Sequence, residues 1–314
     1  MPKESFEQFV KKQEEKLDEF EEKIGEIKDR WKDKIKEGER LSKELSEKIE
    51  EVFEERKKKL GEMMNSENMV AFIQEKILPE IPRIPSFLLE KTLQKLIERY
   101  EKREYSPLYF SLLLSTLINR TIEEYIESQR KKGKKFEEIK PLEIHLDLER
   151  LPENLQCFGY RNQEKSHLFI KEGIQMGLGD SMIGGKIIIE GNAGYELGSF
   201  MTGGEIIVKG NTEGSTGLDM AGGRIIVEGD AKDLLGDSMT GGKIIIEGNA
   251  RNWVGRYMKN GILEIKGDVE SFHKTAFSPD NLGTIIWKGI KIWENGSWTK
   301  EGKEMWEKGE IPVE

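Results

Sequence analysis

The chain predicts a molecule of mixed class, with an amino-terminal all-α region of coiled-coil character followed by a right-handed parallel β-helix of about 19 residues per coil. Three observations carry this expectation. The blocks GGKIIIEG at 184, GGEIIVKG at 203, GGRIIVEG at 222 and GGKIIIEG at 241 recur every 19 residues, and NGILEIKG at 260 continues the series. Most of the 33 glycines lie beyond residue 150, whereas the stretch before it is rich in Glu and Lys. Apolar residues in the first part fall mainly on a heptad.

Residues 1–62 carry that heptad. Phe6, Val10, Leu17, Phe20, Ile24, Ile27, Trp31, Leu41, Leu45 and Val52 occupy mostly a and d positions, although Gln13, Lys34, Gly38 and Lys48 share the seam. One long helix, or two broken near Gly38, would either join a second chain as a coiled coil or pack back on the next helices. The polar face holds both charge signs, which argues against a helix lying on a membrane.

Residues 63–132 read as a helical subdomain. Met69 to Ile77 leads into the turn segment LPEIPRIP, and helical patterns follow over Phe87 to Tyr100 and Leu108 to Tyr125. Residues 133–164 are expected to connect the two parts. The basic run QRKKGKKFEEIK at 129 opens this connector and reads as a solvated linker, with an RNA or acidic protein contact as the sharper alternative.

Residues 165–289 hold the repeat. Gly179, Gly198, Gly217, Gly236 and Gly255 form one column, Met182, Met201, Met220, Met239 and Met258 a second, and Gly191, Gly210, Gly229, Gly248 and Gly267 a third. A period near 19 suits one turn of a three-sided solenoid, each short strand stacking on its copy in the next coil. Alternation puts Ile187 and Ile189 on one face and Ile188 on the other. The Gly-Asn and Gly-Asp pairs after each strand read as corners where positive φ costs little, and the methionines as an internal stack. MGLGDSMIGG at 176 lacks the GxGxxG spacing of a nucleotide loop and recurs in later coils, so its glycines are expected to turn corners.

The ends of the array are irregular. HLFIKEG at 167 falls in phase with the later strands, which places an imperfect first coil near residue 165. TIIWKG ends at Gly289, 22 residues after Gly267, so three extra residues bulge around Ser271 to Pro279. Residues 290–314, with Trp293, Trp298 and Trp306, are expected to cap the open end.

The coil pattern G, two residues, M, one residue, GG, then I-x-I-x-G followed by Asn or Asp resembles the GXGXG domain. That domain is found at the carboxyl end of the glutamate synthase large subunit and in one of the subunits of formylmethanofuran dehydrogenase. The resemblance covers residues 165 to 290 and implies a structural module packed against catalytic parts. It assigns no catalytic residue here, because nothing resembles the glutaminase part, the flavin-binding barrel or the iron-sulfur cysteines of glutamate synthase.

Composition narrows the function classes. Fifty basic against 59 acidic residues leave a net charge of −9, which disfavours phosphate backbones as the main partner. The single cysteine, Cys157, allows no intramolecular disulfide framework and reads as a small buried hydrophobe. No signal core or membrane-spanning run is evident, so a cytoplasmic protein is expected, and high Lys and Glu with one Cys resembles hyperthermophile usage. His145, His167 and His273 are scattered without zinc spacing, and no nucleophile elbow, P-loop or kinase signature occurs. Asp180, Asp219 and Asp237 recur near one corner, but Ser199 and Arg256 interrupt any simple ladder of carboxylates.

No cofactor, metal or catalytic residue is therefore expected. The first reading is a noncatalytic scaffold, oligomerisation or regulatory protein that docks a larger complex through the β-helix and the helical arm. Its contact residues would be the outward row Lys186, Glu205, Arg224 and Lys243 together with Phe272, His273 and Phe277 of the insertion. Self-association as a homodimer is part of this reading. An accessory subunit of a multisubunit redox or amidotransferase enzyme, and a ribosome- or ribonucleoprotein-associated factor, are the two alternatives.

Overall fold

A computed structural model describes residues 36–52, 72–80, 83–100, 107–147, 158–171 and 176–314. Helical segments form one end of the molecule, and a parallel β-solenoid of about six turns forms the rest.

The helical layer comprises α1 (residues 36–52), a π-helical turn at Ile73–Ile77, α2 (Leu89–Tyr100) and α3 (Pro107–Lys131). In α1, Ile49 and Val52 are buried and Leu41 and Leu45 are partly so, all against the common core. Ser42 Oγ lies 3.3 Å from Thr92 Oγ1, and Lys91 pairs with Glu39, so α1 meets α2 within the chain. The seam residues from Phe6 to Trp31 lie outside the described residues. The described part of the heptad thus follows the fold-back arrangement, with its apolar stripe used in cis.

In α3 the consecutive residues Leu112, Leu113 and Leu114 are all buried, which one amphipathic stripe cannot achieve. The helix is covered on several sides, by the other helices and by the start of the solenoid. Two of its buried hydroxyls return to the helix backbone, Ser115 to Ser111 O at 2.7 Å and Thr116 to Leu112 O at 2.6 Å, whereas that of Thr121 is buried without a hydrogen-bond partner. Ser115 Oγ also accepts from Gly159 N at 3.0 Å, and Asn119 Nδ2 donates to Tyr160 O at 3.2 Å. These bonds fix α3 over the first coil.

Ten strands form a single sheet in chain order. They are β1 (Leu142–Leu146), β2 (Ser166–Ile170), β3 (Ile183–Ile189), β4 (Gly203–Val208), β5 (Arg224–Val227), β6 (Lys243–Ile246), β7 (Ile262–Ile265), β8 (Thr284–Trp287), β9 (Ile290–Glu294) and β10 (Ser297–Trp298). From β2 to β7 the paired residues are 19 apart, as in Lys186↔Glu205↔Arg224↔Lys243, save at the start of β3, where a register shift pairs Ile183 with Gly203. The step to β8 is 22, with the three extra residues taken up by a 3-10 turn at Lys274–Phe277. The sheet begins before the repeat does. Within the stretch read as connector, β1 pairs in parallel with β2 at a spacing of 24.

The alternation resolves one way in every coil. Ile187 and Ile189, Ile206 and Val208, Ile225 and Val227, and Ile244 and Ile246 all point inward and are fully buried. The methionines stack behind them, and each makes a demand on the glycine pair of the next coil. A Cβ on Gly204 would sit 2.5 Å from the Met182 methyl, and the same conflict joins Met201 to Gly223 and Met220 to Gly242. The M-x-GG signature is therefore a packing unit that spans two coils.

The remaining sides of each coil are held by shorter ladders. Parallel bridges link Ala193, Thr212, Ala231, Ala250 and Val269, and Gly198 N donates to Leu178 O at 2.8 Å, as Gly217 N does to Leu197 O. At the corner after each strand, Asn192 Oδ1 accepts from Asn211 N at 2.7 Å, Asn211 from Asp230 N, Asp230 from Asn249 N and Asn249 from Asp268 N. The glycines before these residues, Gly191 to Gly267, do not take positive φ. The role of Gly210, Gly229, Gly248 and Gly267 is close approach instead: a Cβ on Gly267 would stand 2.5 Å from Asn249 Oδ1 and Gly248 O.

The far end is closed by a reversal of direction. Strand β9 runs antiparallel to β8, β10 folds onto β9, and α4 (Lys300–Glu307) follows with Thr299 as its N-cap. Val313 then bridges Phe272, so the carboxyl terminus closes over the insertion.

Candidate functional site

The outward side of the parallel sheet presents three columns. Residue 188 of β3 has Phe169, Ile207, Ile226 and Ile245 as its ladder neighbours, so an apolar column runs down the middle of the face. The first four are half-buried by their neighbours, and Ile245 is covered more completely. Glu264 interrupts the column before Ile286 of β8, its carboxylate 2.8 Å from Lys243.

One charged column flanks it at the start of the strands, formed by Lys186, Glu205, Arg224 and Lys243, the four residues expected from sequence. Lys186 pairs with Glu205 at 2.8 Å. Arg224 is exposed and makes no ion pair among the described residues. A second charged column follows the strands and was not singled out from sequence: Glu190, Lys209, Glu228, Glu247 and Lys266. Lys209 pairs with Glu228, and Lys266 with Glu247 at 2.7 Å. These contacts hold the Lys209 and Lys266 ammonium groups above their ordinary pKa, chiefly by the hydrogen bond to the carboxylate. The signal was present in the repeated segment, which carries a charge at both ends of every apolar triplet.

At the foot of this face, α2 and the first strands enclose an 860 Å³ cleft lined by Glu90, Gln94, His145, Phe169 and Lys171. The His145 ring stacks on Phe169 with centroids 4.4 Å apart and planes at 7°. Glu90 accepts from the backbone N–H of His145 at 2.9 Å, and Gln94 bonds both backbone groups of Asp147. The cleft is walled by groups that already have partners within the fold.

The insertion turns its aromatic residues inward. Phe272 has no exposed surface and meets Trp287 edge-on at 5.7 Å. Phe277 is half-buried and stacks on Trp298 at 4.3 Å, beside Trp293 at 5.7 Å. Both side chains belong to the packing of the carboxyl-terminal cap. His273 is, like Phe277, partly accessible, and its Nδ1 accepts from Thr275 N at 3.3 Å as the N-cap of the short turn. Partial burial, then the neighbouring Arg256 and Lys274, push its pKa below the ordinary value. His167 is likewise lowered, by burial and then by Lys186.

The remaining reactive side chains are dispersed. His145 and His167 lie on adjoining strands at one end of the solenoid, whereas His273 lies at the other. Asp237, buried, is held by Arg256 from the coil above; Asp180 shares its column, and Asp219 occupies the next one. Cys157 lies outside the described residues. Among the described residues, no group of three or more His, Cys, Asp or Glu is placed to hold a metal ion, and no helix is long and apolar enough to cross a membrane.

No protein-family model matches the chain, and no curated protein matches it.

Proposed function

We propose that the protein is a noncatalytic scaffold, oligomerisation or regulatory component that works by docking a protein partner on the outward face of its solenoid. The observation that carries this reading is the apolar column Phe169, Ile188, Ile207, Ile226 and Ile245 set between two rows of charge. A desolvated apolar centre with a charged rim is how protein interfaces divide affinity from specificity. The rows mix signs, which suits a protein better than a phosphate backbone. A stacked sheet also holds these side chains at fixed spacing, so little ordering is needed on binding.

Native purification of the full chain followed by mass spectrometry tests the reading. A stoichiometric protein, or a second copy of the chain, that is lost with Ile207→Glu while the circular-dichroism spectrum is unchanged supports it. Association that survives Ile207→Glu moves docking off this face, and turnover by the isolated chain overturns the noncatalytic role. The resemblance to GXGXG domains supports a second reading, an accessory subunit of a redox or amidotransferase enzyme; co-purification with a catalytic subunit would select it. Recovery of ribosomal proteins would instead select the ribonucleoprotein reading.

A further inference from the structure

The two charged columns are related to each other coil by coil. Lys186 and Glu190 close the two ends of the outward face in β3, Glu205 and Lys209 in β4, Arg224 and Glu228 in β5, and Lys243 and Glu247 in β6. In each of these four coils the two ends carry opposite signs, whichever sign comes first. A face of this kind is complementary to itself under one operation, a half-turn about an axis running down the apolar column, parallel to the solenoid.

Resting on the docking role proposed above, we infer that the partner of this face is a second copy of the chain, packed in register with its solenoid parallel to the first. The half-turn exchanges the two ends of every strand. It sets Lys186 against Glu190 of the partner subunit, Glu205 against the partner's Lys209, Arg224 against the partner's Glu228 and Lys243 against the partner's Glu247, each pair occurring twice. The isoleucines meet their own copies on the axis. The other in-plane half-turn, along the strands, reverses coil order. Centred between β4 and β5, it brings Lys186 onto the partner's Lys243 and Glu190 onto the partner's Glu247, so half its pairs repel. The parallel arrangement has none among these eight.

A second observation points the same way. Within one chain Arg224 stacks directly beside Lys243, and by the same register Glu228 stands beside Glu247. Like charges in adjacent ladder positions destabilise a sheet. Lys243, Glu228 and Glu247 are already relieved within the chain by Glu264, Lys209 and Lys266, whereas Arg224 makes no ion pair among the described residues; the parallel half-turn gives it the partner's Glu228.

The size of the face sets the strength. Over the four coils β3 to β6 it is about 19 Å tall and roughly 18 Å wide including side chains, so on the order of 350 Å² is covered on each copy. This is the size class of weak, exchanging assemblies, so a dimer that dissociates on dilution is expected. Its charged rim is open to solvent, so salt weakens it.

Sedimentation velocity on the purified full chain, across concentration and at low and high salt, is the test. A monomer–dimer equilibrium that shifts toward monomer with salt is expected. Arg224→Glu turns two attractive contacts into repulsive ones and should weaken the dimer about tenfold. Combining it with Glu228→Arg restores opposite signs at the two ends and should bring the dimer back to within about threefold of the parent. The intrachain ladder alone predicts something different: Arg224→Glu sets a carboxylate beside Glu205 on one side and beside Lys243 on the other, so it should shift the melting temperature only slightly and leave the concentration dependence of the sedimentation coefficient as in the parent. A dimer indifferent to both variants, or a double variant no better than the single one, overturns the inference. A strict monomer whose native complex is still lost with Ile207→Glu overturns it as well and leaves the docking role standing. A monomer with no such complex removes both.

Discussion

At the scale of single residues, the solenoid depends on atoms that are not there. Gly198 takes φ +64°, and a Cβ would fall 2.6 Å from Ile225 Cδ1 in the next coil. Gly133 also has positive φ, at +84°, but a Cβ there meets nothing within 4 Å. Gly133→Ala should therefore cost only backbone strain, about 1 kcal/mol, whereas Gly198→Ala adds overpacking and should cost about 2–4 kcal/mol by urea denaturation. Equal costs at the two sites would show that the next coil yields freely. Buried charge gives a second test. Arg256→Ala leaves the Asp237 carboxylate buried without its cation and should destabilise by about 2–3 kcal/mol, below the full cost of a broken buried pair because the guanidinium is partly in water. Removing both side chains should recover part of the loss. The histidines supply the pH dependence. His273 and His167 have folded-state pKa values below the ordinary 6.5, so the unfolded chain binds their protons more readily. Stability is then full above that value and falls as pH drops through it toward the lowered folded pKa. The denaturation midpoint should decline between neutral pH and about pH 5, and His273→Asn, which keeps an acceptor without the titration, should flatten the decline.

At the scale of elements, what the sequence made legible was what repeats. The strands β3 to β7 follow from the period, and the inward set follows from alternation once one member is known to be buried. Strand β1 escaped because LEIHL carries no glycine pair and sits 24 residues before its partner, off the period. Gly191 and its copies do stand at corners, but without the positive φ expected of them; the Asn and Asp ladder that crowds Gly210 and the copies after it needs two coils in space before it can be seen. The row from Lys186 to Lys243 was readable because one column of one repeat is enough to find it, whereas the self-complementarity of the face needs both columns at once. The burial of Phe272 and Phe277 depends on the carboxyl-terminal cap, whose fold no repeat announces. That cap is testable as an element. Deleting residues 290–314 exposes the edge of β8, removes the Pro312 carbonyl that accepts from Phe272 N and uncovers the aromatic cluster. Light scattering should show association that grows with time; a truncated chain that stays dispersed and melts as before would make the cap dispensable.

At the scale of the whole molecule, a buried cluster runs without a break from Ile49 in the helical layer to Ile311 near the carboxyl end. Each coil nevertheless bonds chiefly to the coils beside it, so protection should depend on position along the array. Amide hydrogen exchange is expected to be slowest at Ile206, Ile225 and Ile244, which have coils on both sides, and faster toward β8 and β1. Uniform protection would mean that the helical layer and the cap lock the solenoid into one cooperative unit. The stacking has one more consequence. Because each turn occupies one strand spacing, about 4.8 Å, and consumes 19 residues, the chain is a ruler with even graduations. Duplicating or excising a single 19-residue unit in the middle would move the two ends of the molecule apart or together by one graduation while leaving every remaining ladder in phase, whereas a change of any other length would have to be absorbed at a corner, as the three residues before β8 already are.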